Sequence, residues 1–338
     1  MKIREPRCYQ EAVTDVKWRH VMHEEITALE NNGTWKIVDL PSNKKPISCK
    51  WVYRVKYNSD GSVQRYKARL VVRGDHQIEG LDYNETFAAV AKMTSVRCFL
   101  SIVVAKGWEL HQMDVNNAFL HGDLDEEVYM RLPPGFKTVG ANKVCKLQKS
   151  LYGLKQAPRQ WFAKLSSKLS AYGFVRSYSD YSLFTYRKEN IFMAILVYVD
   201  DIILASNDSA ASGHFKTYLH ECFSIKDLGA LKYFLGIEVA RGSQGLFLCQ
   251  RKYAFEIVDE CGLLGAKPAS FQWMQITNLR CQRALYCKIQ FDIGDSWDDL
   301  YISLLLGQIL LTQFILYPNS CRSLEKTIWT QHDELYVI

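Results

Sequence analysis

The sequence predicts an α+β protein centred on a ferredoxin-like antiparallel sheet with helices on one face. Three observations predict it. Ile191 to Ser206 reads I-F-M-A-I-L-V-Y-V-D-D-I-I-L-A-S, two apolar runs flanking Asp200 and Asp201 with no Gly or Pro inside either run. That is the pattern of two buried strands joined by a tight turn that carries both carboxylates. A third carboxylate, Asp114, closes another largely apolar strand, and the order around it is β-α-β-β-α. A second hairpin, between Lys50 and Val72, alternates apolar and cationic residues about an Asp-Gly turn.

The 338 residues are 48% hydrophobic, enough chain for a substantial core and two or three subdomains. The formal net charge is only +6, but it is unevenly spread. Seven cations (Lys50, Arg54, Lys56, Arg65, Lys67, Arg69, Arg73) stand against one acid, Asp60, in the hairpin block. Such a block suits a polyanion, nucleic acid or triphosphate; a solvated strand face is the ordinary alternative. Ten scattered cysteines without a C-x-x-C fit a reducing, intracellular and cytoplasmic setting better than a disulfide framework. No apolar core follows Met1-Lys2-Ile3-Arg4-Glu5-Pro6, so it does not read as a signal peptide. Ile191 to Val199 is too short to span a bilayer and ends in two acids.

In chain order, apolar residues at Ala12, Val16, Met22, Ile26 and Leu29 predict one helix from Tyr9 to Asn32, stopped at Gly33. His20 and His23 lie one helical turn apart on it with Glu24 beside them; a metal site is the sharper reading and a solvated face the ordinary one. Trp35 to Val38 is a short strand. In the hairpin, Trp51, Tyr53, Val55, Tyr66, Ala68, Leu70 and Val72 form an apolar face opposite the cations. Thr94-Ser95 cap a helix that stops at Gly107. The strand Trp108 to Val115 follows, then strands Val128 to Leu132 and Val144 to Leu147. Pro158 opens a helix to Tyr172 before Gly173. Tyr181 to Arg187 leads into the central hairpin, and Asp208 caps a helix through Phe215, Leu219 and Phe223. A hairpin around Gly242 to Gly245 and a helix from Lys252 to Glu260 complete this part.

Adjacent carboxylates at the edge of an apolar sheet repel and raise each other's pKa. A divalent cation with hard oxygen ligands is the simplest compensation; a solvated turn is the plain alternative, since Asp is common in turns. A ferredoxin-like sheet makes the strands of Asp114 and Asp200 neighbours across 86 positions. The two would then bridge a pair of Mg²⁺ ions, with Asp201 completing or orienting the site. Such a pair activates an attacking hydroxyl and stabilises the leaving oxygen of an in-line displacement. Phosphoryl transfer asks little more than positioning and charge compensation.

Several stretches are familiar in this order: Trp51-Val52-Tyr53, Tyr66 to Val71, Glu85-Thr86-Phe87, Asp114 to Leu120, Leu151 to Phe162, Tyr198 to Asp201, and Asp227-Leu228-Gly229 through Leu235 to Glu238. On these motifs the chain from about Glu5 to Ser270 resembles the reverse transcriptases of copia-type LTR retrotransposons, a part of their Pol polyproteins. The resemblance implies a right-hand polymerase, with fingers on the Lys50–Arg73 hairpin and a palm carrying the aspartates. It implies RNA- and DNA-templated DNA synthesis with Mg²⁺, or Mn²⁺, on a primed template with deoxynucleoside triphosphates. It assigns Asp114, Asp200 and Asp201 to metal and catalysis, and Lys67 and Arg69 to the triphosphate. Phe119 falls under the sugar, where a ring would clash with a 2′-hydroxyl; a core aromatic is its plain alternative. Tyr152, Gly153, Gln156 and Pro158 fall along the template and nascent base pair, and Gly236 near the primer grip. Arg73-Gly74-Asp75-His76 departs from the family pattern by an acid that weakens a phosphate contact, and Ala88-Ala89-Val90 departs by its missing Pro.

After Ser270 the resemblance stops. Phe271 to Leu279 can be back-translated so that one restored C after the first codon gives Phe-Pro-Met-Asp-Ala-Asn-His-Lys-Leu, a family continuation. Tyr301 to Ile309, read in the same shifted frame, gives Tyr-Leu-Thr-Thr-Thr-Arg-Pro-Asp, another. The expected organisation is therefore a helical segment (1–34), fingers (35–107), palm and start of thumb (108–270), and a frameshifted, poorly ordered tail (271–338). Three functions compete: an active reverse transcriptase, an inactive remnant that binds nucleic acid through its basic hairpin, and another two-metal enzyme such as a nucleotidyl cyclase. The Lys67/Arg69 hairpin and the Leu151–Phe162 segment argue against the third.

Overall fold

The N-terminal amphipathic stretch, expected as one helix, folds as two: α1 (Tyr9–Ala12) and α2 (Val16–Asn31). Asp15 causes the break. Its backbone is extended and its carboxylate accepts from the Lys17 N–H at 2.8 Å, so it starts a new helix as an N-cap. The buried face shifts with it. Trp18, Met22 and Leu29 go inside, while Val16 is 66% exposed.

This computed structural model describes residues 3–262, apart from 59, 137–139, 141 and 243–244, together with the backbone of 314–316. Most of the expected tail thus lies outside the described residues. The chain continues through β1 (Trp35–Asp39), β2 (Cys49–Tyr57), β3 (Val63–Val72), α3 (Met93–Lys106), β4 (Glu109–Val115), β5 (Tyr129–Arg131) and β6 (Lys143–Leu147). The helix of Thr94-Ser95 begins at Met93, so neither residue precedes it as a cap. Then come α4 (Ala157–Tyr172), β7 (Val175–Arg176), β8 (Leu183–Lys188), β9 (Ile191–Tyr198), β10 (Asp201–Ser206) and α5 (Ser209–Phe223). Pro158 sits in the first turn of α4, and Gly173 ends that helix at φ +113°, the left-handed region. Asp208 caps α5 by accepting from the Ala211 N–H at 2.7 Å. Last are β11 (Ile225–Ala230), β12 (Tyr233–Phe234), β13 (Ile237–Gly242), β14 (Gly245–Cys249), α6 (Arg251–Glu260) and β15 (Phe314–Leu316), which pairs antiparallel with β14.

The chain divides into two compact units, Met1–Met93 with Met113–Asp227, and Thr94–Gln112 with Leu228–Ile338; the division passes through β4 and β11. The first unit holds two hydrophobic clusters. In one, Trp18 of α2 edges onto Tyr53 and Tyr66 of the β2–β3 hairpin at 5.3 and 4.9 Å. In the other, α4 (Trp161, Leu165, Leu169) and α5 (Phe215, Leu219, Phe223) share a core with Met193, Ile195, Val197, Ile202 and Leu204. Both helices therefore cover the same sheet face, as expected. The sheet runs β11-β4-β10-β9-β8-β7, whose first four places are the ferredoxin-like order; β7 and β8 extend it. A separate three-stranded sheet has the order β1-β6-β5. In the second unit, α3 and α6 accompany the sheet β12-β13-β14-β15, and Arg241 donates to the Trp108 carbonyl at 2.9 Å. Among the described residues no helix is long and apolar enough to cross a membrane.

Candidate active site

The acids come first. Tyr198 pairs with Asp201, so β9 and β10 are joined by the two residues Val199-Asp200. Val199 is held at φ +56°, a costly conformation for a β-branched residue. The indole N–H of Trp161 donates to its carbonyl at 2.8 Å, and this fixes the turn. The Val115 N–H donates to the Asp200 carbonyl at 2.9 Å, which sets the end of β4 beside the turn. Alternation then sorts the faces. Met113, Val115, Ile202 and Leu204 join the core under the helices, so Asp114 and Asp201 share the opposite face.

Burial holds the Asp114 carboxyl above its usual range, and the neighbouring Asp200 adds to this; Lys226 and Lys67 oppose. Among the described residues no three His, Cys, Asp or Glu side chains are gathered into a preformed metal cage. Mg²⁺ commonly takes one or two carboxylates and completes its shell with water and substrate phosphates. The hard-oxygen pair of Asp114 and Asp200, whose mutual repulsion calls for positive charge, fits such an ion.

Lys67 and Arg69 alternate along β3 with buried Ala68 and Leu70. Across the ribbon Arg54 stands opposite Lys67, and Lys56 opposite Arg65. Like charges directly opposite are destabilising, so the stripe is kept at a cost. Burial first, then Arg69 and Arg65, push the Lys67 pKa down. The Arg69 guanidinium lies 4.2 Å from the ring centre of Tyr152, and its Nε is buried without a hydrogen-bond partner.

Aromatic residues connect the two charge sets. Asn117 takes φ +51° and leads into a 3₁₀ turn, Ala118–His121. Phe119 in that turn is half-buried, touches both hydrophobic clusters and edges onto Tyr152 at 5.6 Å. The Tyr152 hydroxyl donates to Asn117 Oδ1 at 3.3 Å. Burial pushes its pKa up to about 12, with Arg69 opposing and Glu25, Asp200 and Asp114 adding. One tyrosine thus feels both Arg69 and the acids.

The remaining expected site residues divide. Gly153 is exposed at φ +92°, and a Cβ there would strike the Val72 carbonyl. The Val72 N–H donates to the Tyr152 carbonyl at 2.7 Å, so the loop is sewn to the end of β3. Pro158 is half-buried. Gln156 is fully buried: its Oε1 accepts from Gln77 at 3.0 Å, and its Nε2 donates to the Asp82 carbonyl at 2.9 Å. Its amide is thus occupied in holding the segment after β3 against the start of α4. Asp75 pairs with Arg73 at 2.8 Å, so the unusual acid does engage a basic residue. His20 and Glu24 form an exposed pair at 3.2 Å, the solvated face that was expected. Sequence reasoning missed Asn117, Gln77 and Glu25. Only Glu25 left a signal, because it falls in the stripe of Trp18, Met22 and Leu29 on α2.

Paired acids on an antiparallel sheet, with cations and edge-packed aromatics beside them, suit the handling of phosphates, and similarity to known proteins gives the class. Residues 32–274 match the family described as reverse transcriptase (RNA-dependent DNA polymerase), and the chain belongs to it. Its relatives include retrovirus-related Pol polyproteins of copia-type plant transposons. It is 47% identical over 268 residues to that of transposon RE1 from Arabidopsis thaliana, covering 79% of this chain and 18% of the relative. To that of transposon TNT 1-94 from Nicotiana tabacum it is 42% identical over 274 residues, covering 79% and 21%. The chain therefore spans about a fifth of the length of these relatives. Among solved structures, a foamy viral protease–reverse transcriptase in complex with dsDNA is similar at a TM-score of 0.46 and 16% identity, covering 89% of this chain and 58% of that one.

Proposed function

We propose that this chain performs templated DNA synthesis, adding deoxynucleotides to a primer paired with RNA or DNA. The primer 3′-hydroxyl gives its proton to water as its oxygen bonds to the α-phosphorus, the bond from that phosphorus to the α–β bridging oxygen breaks, and pyrophosphate leaves with that oxygen. The observation that carries this reading is the meeting of Asp114 and Asp200 at the end of β4 and the β9–β10 turn. Mg²⁺, or Mn²⁺, would be held there by Asp114 and Asp200, with Asp201 completing or orienting the site, and when bound would supply the charge neutralisation of a two-metal displacement.

The chain's own residues do the positioning. The β2–β3 ribbon serves as fingers and the six-stranded sheet as palm. Lys67 and Arg69 hold the triphosphate, and Tyr152 stacks on Arg69 to fix its direction. Phe119, backed by Tyr152, closes the space beneath the sugar and excludes a 2′-hydroxyl. Gly153 and Pro158 lie along the template and nascent pair, and Gln156 acts behind them by fixing the loop.

The shifted reading frame recovered after Ser270 favours a second reading, a remnant that binds nucleic acid through the ribbon without extending it. Primer extension on poly(rA)/oligo(dT) with the purified chain and Mg²⁺ decides between them. Extension that requires Asp200 supports synthesis; salt-sensitive binding without extension supports the remnant.

A further inference from the structure

Glu25 has no part in the reaction as drawn, yet it occupies an expensive place. It lies three residues from Met22 and four from Leu29, within the buried stripe of α2 where an apolar side chain is expected. Its Oε1 accepts from the Leu70 N–H of β3 at 3.4 Å. Burial raises its pKa, opposed first by that N–H and then by Arg69 and Lys67. The influence is mutual, since Glu25 favours the charged form of Lys67 against Arg69, Arg65 and Lys56. Among the described residues neither Lys67 nor Arg69 makes an ion pair. Glu25 is half-buried, and a carboxylate drawn out of water is costly unless its charge is used.

We propose that Glu25 is a positioning residue for the triphosphate site: it is the resident counter-anion of Lys67 and Arg69, and an incoming triphosphate competes with it for their charge. The inference rests on reading those two cations as triphosphate ligands. In the free protein Glu25 restrains a set of cations that repel one another along and across the ribbon. A fixed carboxylate beside these cations weakens the binding of any phosphate, and the more highly charged triphosphate feels it most. The bland alternative is an edge cap for β3, which needs an acceptor at Leu70 but no charge.

Glu25→Gln separates the two roles, because its amide oxygen still accepts from Leu70 while the charge is gone. The test titrates inorganic tripolyphosphate and orthophosphate into the full chain by calorimetry, beside a thermal melt. Glu25→Gln is expected to bind tripolyphosphate on the order of three- to tenfold more tightly, as removal of a competing charge at this range implies. Orthophosphate, with less charge, should gain less, and the variant should melt as the wild type does. Glu25→Asp, which keeps the charge, should stay near wild type, and adding Lys67→Ala with Arg69→Ala should erase the gain. In primer extension the change belongs in the KM for nucleotide rather than in kcat. Unchanged or weaker tripolyphosphate binding by Glu25→Gln, a gain that survives loss of both cations, or no saturable binding by the wild type would overturn the proposal. Binding that responds as stated in a chain that never extends a primer would leave the counter-anion standing and sink the polymerase reading. Extension without that response would do the reverse.

Discussion

Two hairpins carry the two halves of the proposed site, and they follow opposite rules. In β2–β3 buried and exposed residues alternate, with Trp51, Tyr53 and Val55 inside and Val52, Arg54 and Lys56 outside. In β9–β10 burial is unbroken, from Met193 through Val197 and from Ile202 through Ser206. One covered face produces alternation, and two produce a continuous run. The consequence is functional. A ribbon with one wet face can carry a whole stripe of cations that adjust to a moving anion. A hairpin covered on both faces has only its turn left for polar groups, so Asp200 is placed once, on a strained backbone that Trp161 holds. Charge is kept at a cost in both, cation opposite cation in one and acid beside acid in the other. Substrate anions would relieve the first, and a metal cation the second.

The comparison breaks most decisively at the acids. Asp200→Asn is expected to reduce primer extension by at least about 10³-fold, because the displacement loses its charge compensation. The side chain is exposed in the turn, so folding and nucleic-acid binding should survive. The ribbon should behave differently. Replacing Lys67 and Arg69 by Ala should raise the KM for nucleotide by roughly tenfold. The same change should flatten the salt dependence of nucleic-acid binding by about one unit of slope for each phosphate no longer neutralised. A ribbon variant as dead in kcat as Asp200→Asn would show that adjustable and fixed charges are not distinct roles. Phe119 lies between these regimes. Phe119→Ala should let ribonucleotides compete with deoxynucleotides, by a factor on the order of ten if the relieved clash is worth about 1.4 kcal/mol. Unchanged sugar discrimination in single-nucleotide incorporation would return the ring to a packing role.

Much of this contrast was legible in the sequence, because it is written in local patterns. The Asp-Gly turn, the alternation of Trp51 to Val55, the unbroken run at Ile191, and Pro158 with Gly173 each mark one element by its own chemistry. The break at Asp15 was legible too, as an N-cap residue, but apolar spacing through it gave the wrong register. What stayed hidden depends on distant partners. Nothing near Arg69 announces Tyr152, and nothing near Gln156 announces Gln77 or Asp82, so an amide expected to face the template is instead buried. Glu25 is the intermediate case. Its place in the apolar stripe of α2 marks it as odd, but only the fold brings Leu70, Lys67 and Arg69 to it.

The smallest expected effect tests the cost on the acidic side directly. Asp114 has a folded-state pKa raised above its ordinary 3.8, by burial and then by Asp200. The folded chain therefore keeps a proton that the unfolded chain has already released, and stability falls as pH rises through that interval. Above the interval the full penalty is present. Asp114→Asn removes the charge, so with chelator present it should be the more stable protein at neutral pH although it is inactive. The gain is modest because the group is only partly buried, on the order of 0.5 kcal/mol. Urea titrations of both proteins from about pH 3 to pH 8 should show the difference opening as pH rises and vanishing in acid, where wild-type Asp114 is itself protonated. A variant less stable than wild type at neutral pH would mean that the Asp114 charge is satisfied within the protein, and that no cation is needed to relieve it.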